Sequence, residues 1–449
     1  MGSCCRFPRS LIQRTSSRVL DERARGSGLS LETLERIVCP VLSKAGTYRF
    51  KCRSVFNRCH PAPIAGLVRP DAMKVLQYLR EINRSAGGVV TAMLDLSSAL
   101  AGAGVEVSVL TCDPRDVPER WDGERGPSVT VNEGLKSAGL FSRSIRADLR
   151  DLVERVDLVH LHTPWDPLNL DLGRACRAAG VPYVVTMHGM IDNWSMNNGF
   201  LKKIKKRVYL RLAGRSFMES AAAVHGTADL EAEQAASFLP NAQFQVLPCI
   251  FDPGDLLDIQ RAPKSNSSDT LQVLYLSRLH PKKRPDLLIE AAGLDTGLHI
   301  VLAGPGDDDY KQWLERKAEA LGVADRVDFA GMVSGSDRTR VYADADCFCL
   351  PTSQENFGLV LPEAMAAEMP VVTTRGTAIW RELEQAGAWI TTQKPADIVA
   401  ALREVRDAPV EARARAAAGR CWVRETLMPH ALVPRYRAMY EQIIASVGR

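Results

Sequence analysis

Two glutamates, Glu355 and Glu363, stand with seven residues between them in PTSQENFGLVLPEAMAAEMPVVTT (351–374), directly after the apolar run DCFCL. An ionised carboxylate accepts hydrogen bonds, so the pair suits neutral hydroxyls: a vicinal diol such as a ribose for Glu363, the hydroxyls of a sugar for Glu355. The segment NFGLVLPEAMAAE is expected to open a helix at the end of a strand. The backbone amides of Asn356, Phe357, Gly358 and Leu359 would then be the unpaired donors of its N-terminus, a place for an anion. Gly358 would let a ligand approach the main chain. About 75 residues earlier, SRLHPKKRPDLL sets Arg278 and Lys283 five positions apart around a proline turn, again after an apolar run, LQVLYL. A guanidinium fork and a compact ammonium at a strand end suit a diphosphate. Each feature also has a plainer reading: carboxylates that favour a helix start, and a solvated basic loop.

The elements that must position these groups follow from hydrophobic period. From Met73 the chain alternates short apolar runs, MKVLQYL, VEVSVLT, DLVHLH and PYVVTMH, with segments apolar at three- and four-residue steps, such as GGVVTAMLDLSSALAGAG. After the polar stretch FDPGDLLDIQRAPKSNSSDT the alternation restarts with LQVLYLS, LHIVLAG, RVDFAG, DCFCL, PVVTT and AWITT. Near-continuous Val, Ile and Leu in such strands predicts parallel sheets covered on both faces. The expected fold class is α/β, with two doubly wound, Rossmann-like lobes at 73–252 and 270–425 and a cleft at the strand ends. A last helix, within 426–449, is placed beyond the second sheet and can pack back on the first lobe. GAG (102–104) ends a helix, AGPGDDD (303–309) lacks the third glycine, and no GxxxxGK[ST] loop occurs. Dinucleotide and P-loop chemistry are therefore disfavoured.

Composition bounds the alternatives. The 449 residues, 46% hydrophobic and 24% charged, are ordinary globular material for two domains. The formal charge of +4 is uneven: residues 1–72 hold 13 Lys and Arg against 5 Asp and Glu, and the remainder is net −4. Nucleic acid is thus not an expected partner of the body. The basic leader, with five of the eleven cysteines, reads as a poorly ordered extension. The other six read as buried, reduced thiols of a cytoplasmic protein.

Taken together, the Glu–seven–Glu stretch, SRLHPKK, the first-lobe loop NRSAGGVVTAMLDLSSALAGAGVEVSVLT and the His–Gly turn VPYVVTMHGMID resemble the retaining GT-B glycosyltransferases, group 1, family 4. The likeness runs from about residue 73 to 445. It implies that Arg278 and Lys283 neutralise a departing diphosphate and that Glu363 binds the nucleotide ribose. Glu355 and the amides of 356–359 would hold the sugar and phosphate. Gly87 and Gly88 would let the first-lobe loop close on the donor, and His188 would sit by the sugar and acceptor. The catalytic set so implied is His188, Glu355, Arg278 and Lys283. The resemblance implies a metal-independent transfer with retention from a UDP-, GDP- or ADP-sugar to a glycan or lipid-linked saccharide. The family commonly has glycine after the lysine, where this chain has Arg284.

Rival readings are a GT-B phosphorylase, a sugar-nucleotide epimerase, and a catalytically idle sugar-nucleotide binder. His160 and His162 divide evenly between acceptor contact and core roles, whereas for His225 capping or packing is favoured over a functional role. Asp344 and Asp346 read as structural. FLKKIKKRVYLRL puts Leu201, Ile204, Val208 and Leu212 on one face among lysines. That suits either an anionic membrane surface or plain packing by the apolar face.

Overall fold

Each run of Val, Ile and Leu that precedes a candidate loop forms a strand. In this computed structural model the described residues are 72–84, 87–121, 123, 126–132, 143–261 and 270–448. The expectations for the leader fall almost wholly outside them, as do residues 262–269 of the polar stretch. The first sheet has seven strands: β1 (Lys74–Tyr78), β2 (Glu106–Thr111), β3 (Ser128–Val131), β4 (Leu158–His162), β5 (Tyr183–Thr186), β6 (Ala223–Gly226) and β7 (Phe244–Val246). They lie in the order β3-β2-β1-β4-β5-β6-β7, and every pair is parallel. The second sheet has six: β8 (Leu271–Leu276), β9 (Leu298–Ala303), β10 (Val327–Gly331), β11 (Cys347–Leu350), β12 (Val371–Thr374) and β13 (Trp389–Thr391). Their order is β10-β9-β8-β11-β12-β13, again parallel throughout.

All six second-sheet strands match apolar runs. In the first sheet β3, β6 and β7 escape pattern reading. β3 is an edge strand with a largely exposed SVTV, β6 is only AVHG, and β7 is three residues. Such segments are too short, or too exposed, to show a period.

The covering helices carry the expected punctuation. In Pro167–Ala179, Asp166 accepts from Leu168 N at 3.0 Å, Pro167 opens the first turn, and Gly180 closes the helix at φ 67°. The final helix, Pro429–Ser446, lies against the first lobe. Its Leu432, Tyr436, Met439 and Tyr440 share a core with Val90, Met93 and Leu100 of the helix Gly88–Gly102. No described helix is long and apolar enough to cross a membrane.

Both sheets reverse their strand order once, between β1 and β4 and between β8 and β11. Loops leaving the carboxyl ends of strands on either side of such a reversal diverge and open a crevice, where sheets of this kind bind ligands.

Candidate active site

β8 and β11 are neighbours, with Val273 beside Cys347 and Leu274 beside Phe348. The loops bearing the two predicted cations and Glu355 therefore emerge side by side. After β8, Arg278 is exposed. His280 caps the turn Pro281–Lys283 by accepting from Lys282 N at 3.0 Å. Arg284 then adopts the left-handed conformation, φ 54° and ψ 45°, which costs a residue with a Cβ about 1–2 kcal/mol. Asp286 holds it there with three contacts of 2.9–3.1 Å. The backbone conformation that suits glycine is thus present without the glycine. Lys282 O accepts from Ser353 N at 2.9 Å and from Thr352 Oγ1 at 3.2 Å, which stitches this turn to the loop after β11. Across the stitch Lys283 Nζ and Glu355 Oε2 form an ion pair. Burial, with Lys282 and Arg278 close by, pushes the Lys283 ammonium down to about 7. The contact with Glu355 acts in the opposite sense.

The helix after Glu355 starts later than its sequence suggests. It spans Val360–Ala366, so Glu363 lies in its first turn. Pro362 supplies the reason: it has no N–H, and is tolerated only where an amide would lack an intrahelical partner. A helix beginning at Asn356 would bury that defect in its second turn. The anion site expected at a helix N-terminus is therefore corrected to a loop ahead of a seven-residue helix. Within it Asn356 N donates to Glu355 Oε1 at 3.2 Å, and Phe357 is buried. The reason for Gly358 also changes. At φ 65° any Cβ would stand 2.7 Å from Glu355 Cγ, so the glycine makes room for the glutamate side chain itself.

Glu363 is 7% exposed, and each of its oxygens has one partner. Tyr342 donates to its Oε2 at 2.8 Å and Arg338 Nη2 meets Oε1 at 2.5 Å. Sequence reasoning missed both partners. Their spacing of four on the helix Gly335–Asp344, which puts them on one face, is the signal that was there to find. Opposite, Asp95 on the helix Gly88–Gly102 has its carboxyl pushed up to about 7 by burial, by Asp252 and in part by Glu363. The helix that carries Asp95 belongs to the first lobe.

On that lobe Gly87 opens the helix at φ 112°, which favours glycine, while a Cβ on Gly88 would lie 3.8 Å from Leu359 Cδ1. The two loops thus face each other, and Gly88 has room for a methyl. His188 follows β5 at φ 51°. Its Nε2 lies 3.0 Å from His162 Nδ1, and His162 Nε2 lies 2.8 Å from Gln77 Oε1. With Gln77 Oε1 accepting, His162 Nδ1 must accept from His188 Nε2–H, which leaves His188 Nδ1 as an acceptor. Burial, and secondarily His225, lowers the His188 pKa to about 3. It is a neutral hydrogen-bonding group in ordinary solution.

His160 and His225 form a second chain. Leu247 O accepts from His225 Nε2 at 3.0 Å, so His225 Nδ1 accepts from Thr186 Oγ1 at 2.8 Å. Thr186 in turn accepts from His160 Nε2 at 2.6 Å, and Tyr440 donates to His160 Nδ1 at 2.6 Å. His160 is thus a core residue, and His225 packs within the lobe. A small, partly open pocket is lined by His162, Thr186, His188, His225, Thr227 and Cys249, among others. Of the candidate set His188 lines it, whereas Arg278, Lys283, Glu355 and Glu363 do not.

Asp346 accepts from Gln272 N at 2.9 Å beneath β8, a structural role. Five of the six cysteines in the described residues are buried, whereas Cys421 is exposed, against expectation. The apolar face of the basic helix is bare: Phe200 and Leu212 are each 78% exposed, and Leu201, Ile204 and Val208 are exposed too. The reading in which that face packs is overturned.

Two family models match the chain. Residues 87–249 fit the description "Glycosyl transferase 4-like domain" and residues 258–420 "Glycosyl transferases group 1". The chain is 30% identical to a D-inositol 3-phosphate glycosyltransferase of Geodermatophilus obscurus, over 81% of this chain and 87% of that one. A protein of the same description from Actinosynnema mirum is 29% identical over 64% and 75% of the two chains. Among solved structures, Anabaena Alr3699/HepE in complex with UDP superposes with a TM-score of 0.65 at 18% identity, covering 82% of this chain and all of that one. Sucrose-phosphate synthase from Thermosynechococcus elongatus gives 0.65 at 19% identity, over 83% and 100%.

Proposed function

The chain belongs to the group 1, family 4 glycosyltransferases and has their GT-B fold, and from that footing we propose that it moves a sugar, with retention, from a UDP-sugar to a hydroxylated acceptor. The observation that carries this reading is the pairing of β8 with β11, which sets Lys283 against Glu355 at the crevice. Without donor the lysine and the glutamate satisfy each other. A diphosphate takes the lysine, with Arg278 beside it, and frees Glu355 for the hydroxyls of the sugar. The loop amides of Phe357, Gly358 and Leu359 add donors. Glu363, braced by Arg338 and Tyr342, holds the ribose.

Breaking the anomeric carbon–phosphate bond concentrates charge on the diphosphate, and groups already fixed around it lower the barrier without reorganising. Departure and attack take place on one face, and the leaving phosphate accepts the proton of the acceptor hydroxyl. No metal takes part in this scheme. His188 stays neutral and offers Nδ1 to a hydroxyl of sugar or acceptor, with Gly87 and Gly88 lining the approach.

UDP is favoured over GDP or ADP because structures of the same fold were solved with UDP and UDP-glucose. The relatives' description points first to D-inositol 3-phosphate as acceptor, then to a glycan or lipid-linked saccharide. The bare apolar and basic face at 200–212 supports peripheral contact with an anionic membrane.

The test is a melting panel of UDP-, GDP- and ADP-glucose on the purified protein, followed by transfer assays with wild type and Glu355→Gln. UDP-glucose should raise the midpoint. The variant should stay folded and lose about a hundredfold in turnover, the effect of removing one charge-assisted contact. No transfer by the wild type would leave a phosphorylase, an epimerase or an idle binder as the better reading, and unchanged turnover in the variant would remove Glu355 from the catalytic set.

A further inference from the structure

Beyond Glu355, the next side chain crosses to the other lobe. The Asn356 amide lies 2.8 Å from Thr227 Oγ1, 3.2 Å from Gly189 N and 3.3 Å from Glu231 Oε2. Its orientation follows from the chemistry of that socket. The nitrogen faces Glu231 and the oxygen faces Gly189 N, because the reverse would set acceptor against acceptor and donor against donor.

The socket is built for this visitor. Glu231 is 2% exposed, and its carboxylate also accepts from Gly189 N at 2.5 Å and Thr227 N at 2.7 Å. Gly189, at φ 71°, has no Cβ; one placed there would stand 2.6 Å from Asn356 Cβ. Two further contacts brace the same seam. Gln354 Nε2 donates to Asp192 Oδ2, and Lys282 Nζ sits 4.7 Å from the centre of the Trp194 ring.

We propose that Asn356 is the latch between the lobes, a positioning residue that sets His188 in register with Glu355. The argument is one of adjacency: Asn356 follows Glu355 in one lobe, and Gly189 follows His188 in the other. Seating the amide therefore brings the two donor-facing side chains to a fixed separation. An amide is the group required, since it must give a hydrogen to a carboxylate and take one from the Thr227 hydroxyl, with a share of the Gly189 N–H. Aspartate has the shape but places a second carboxylate against Glu231. The kinetic part of this inference rests on the proposed transferase reading, whereas the geometric part does not.

The experiment compares wild type, Asn356→Ala and Asn356→Asp, each checked for folding by circular dichroism. Small-angle scattering without ligand should show the wild type most compact, alanine more open and the near-isosteric aspartate most open. Turnover of UDP-glucose, read as hydrolysis, should fall about tenfold for alanine and further for aspartate. UDP affinity by calorimetry should stay within about twofold. Aspartate scattering like wild type would overturn the latch, because packing alone would then explain the contact. So would a loss of UDP affinity equal to the loss of turnover, which would put Asn356 at the donor. Scattering that shifts as described in a protein that turns over no UDP-sugar would support the latch and sink the transferase reading.

Discussion

Lys283 stands between opposed influences, and its titration reports on the site. Burial and two neighbouring cations hold its pKa near 7, well below its ordinary 10.5. Between those values the unfolded chain keeps a proton that the folded chain lacks, so this group makes the empty protein more stable as pH rises above about 7. A bound diphosphate favours the charged ammonium. UDP binding at pH 8 should therefore take up a proton, and affinity should fall as pH rises through 7–9. Calorimetry in buffers of different ionisation enthalpy reads both effects, and Lys283→Arg should abolish them. His188, neutral down to about pH 3, supplies no limb in that range. The two cations and two carboxylates were legible from residue type and spacing. Of their partners, Arg338 and Tyr342 share a helix face by their spacing of four, but that this face meets Glu363 was decided by packing.

The helix Phe200–Tyr209 and the π-turn Leu210–Gly214 show what an element adds to its residues. Lys206 turns inward, donating to Ser195 O at 2.8 Å and lying 5.0 Å from the Trp165 ring centre. Lys202 and Lys205 and the bare apolar face stay outside, with Lys203 half-buried. Each lysine near an anionic surface contributes about 1 kcal/mol, screened by salt. The protein should sediment with vesicles containing anionic lipid more than with phosphatidylcholine alone. Exchanging both Phe200 and Leu212 for serine should reduce that binding several-fold. Equal binding to neutral and anionic vesicles would exclude the contact. The periodicity of this helix was plain in the sequence. Whether a neighbour covered the apolar face could be known only once the neighbours were placed.

At the scale of the molecule the chain crosses from the second lobe back to the first, and the final helix ties the ends of the fold together. Tyr440 donates to His160, 280 positions earlier, and both side chains are fully buried. Tyr440→Phe leaves an imidazole nitrogen without its donor and should cost about 1–3 kcal/mol in urea unfolding. Substrate affinity should hold, since neither residue reaches the crevice. A variant as stable as wild type would show that the histidine chain is not held from this helix.

By itself the sequence determined two parallel sheets, their strand-end loops, and the residue types able to meet a diphosphate and a diol. Those follow from period and from covalent neighbours. Tertiary structure decided which groups meet: Lys283 with Glu355, Glu363 with Arg338, Asn356 with Glu231. It also decided that Glu355's helix waits for Pro362 and that Arg284 takes a glycine's conformation. Period records which face of an element is buried, whereas a contact between distant positions depends on strand order and on which loops share a reversal point.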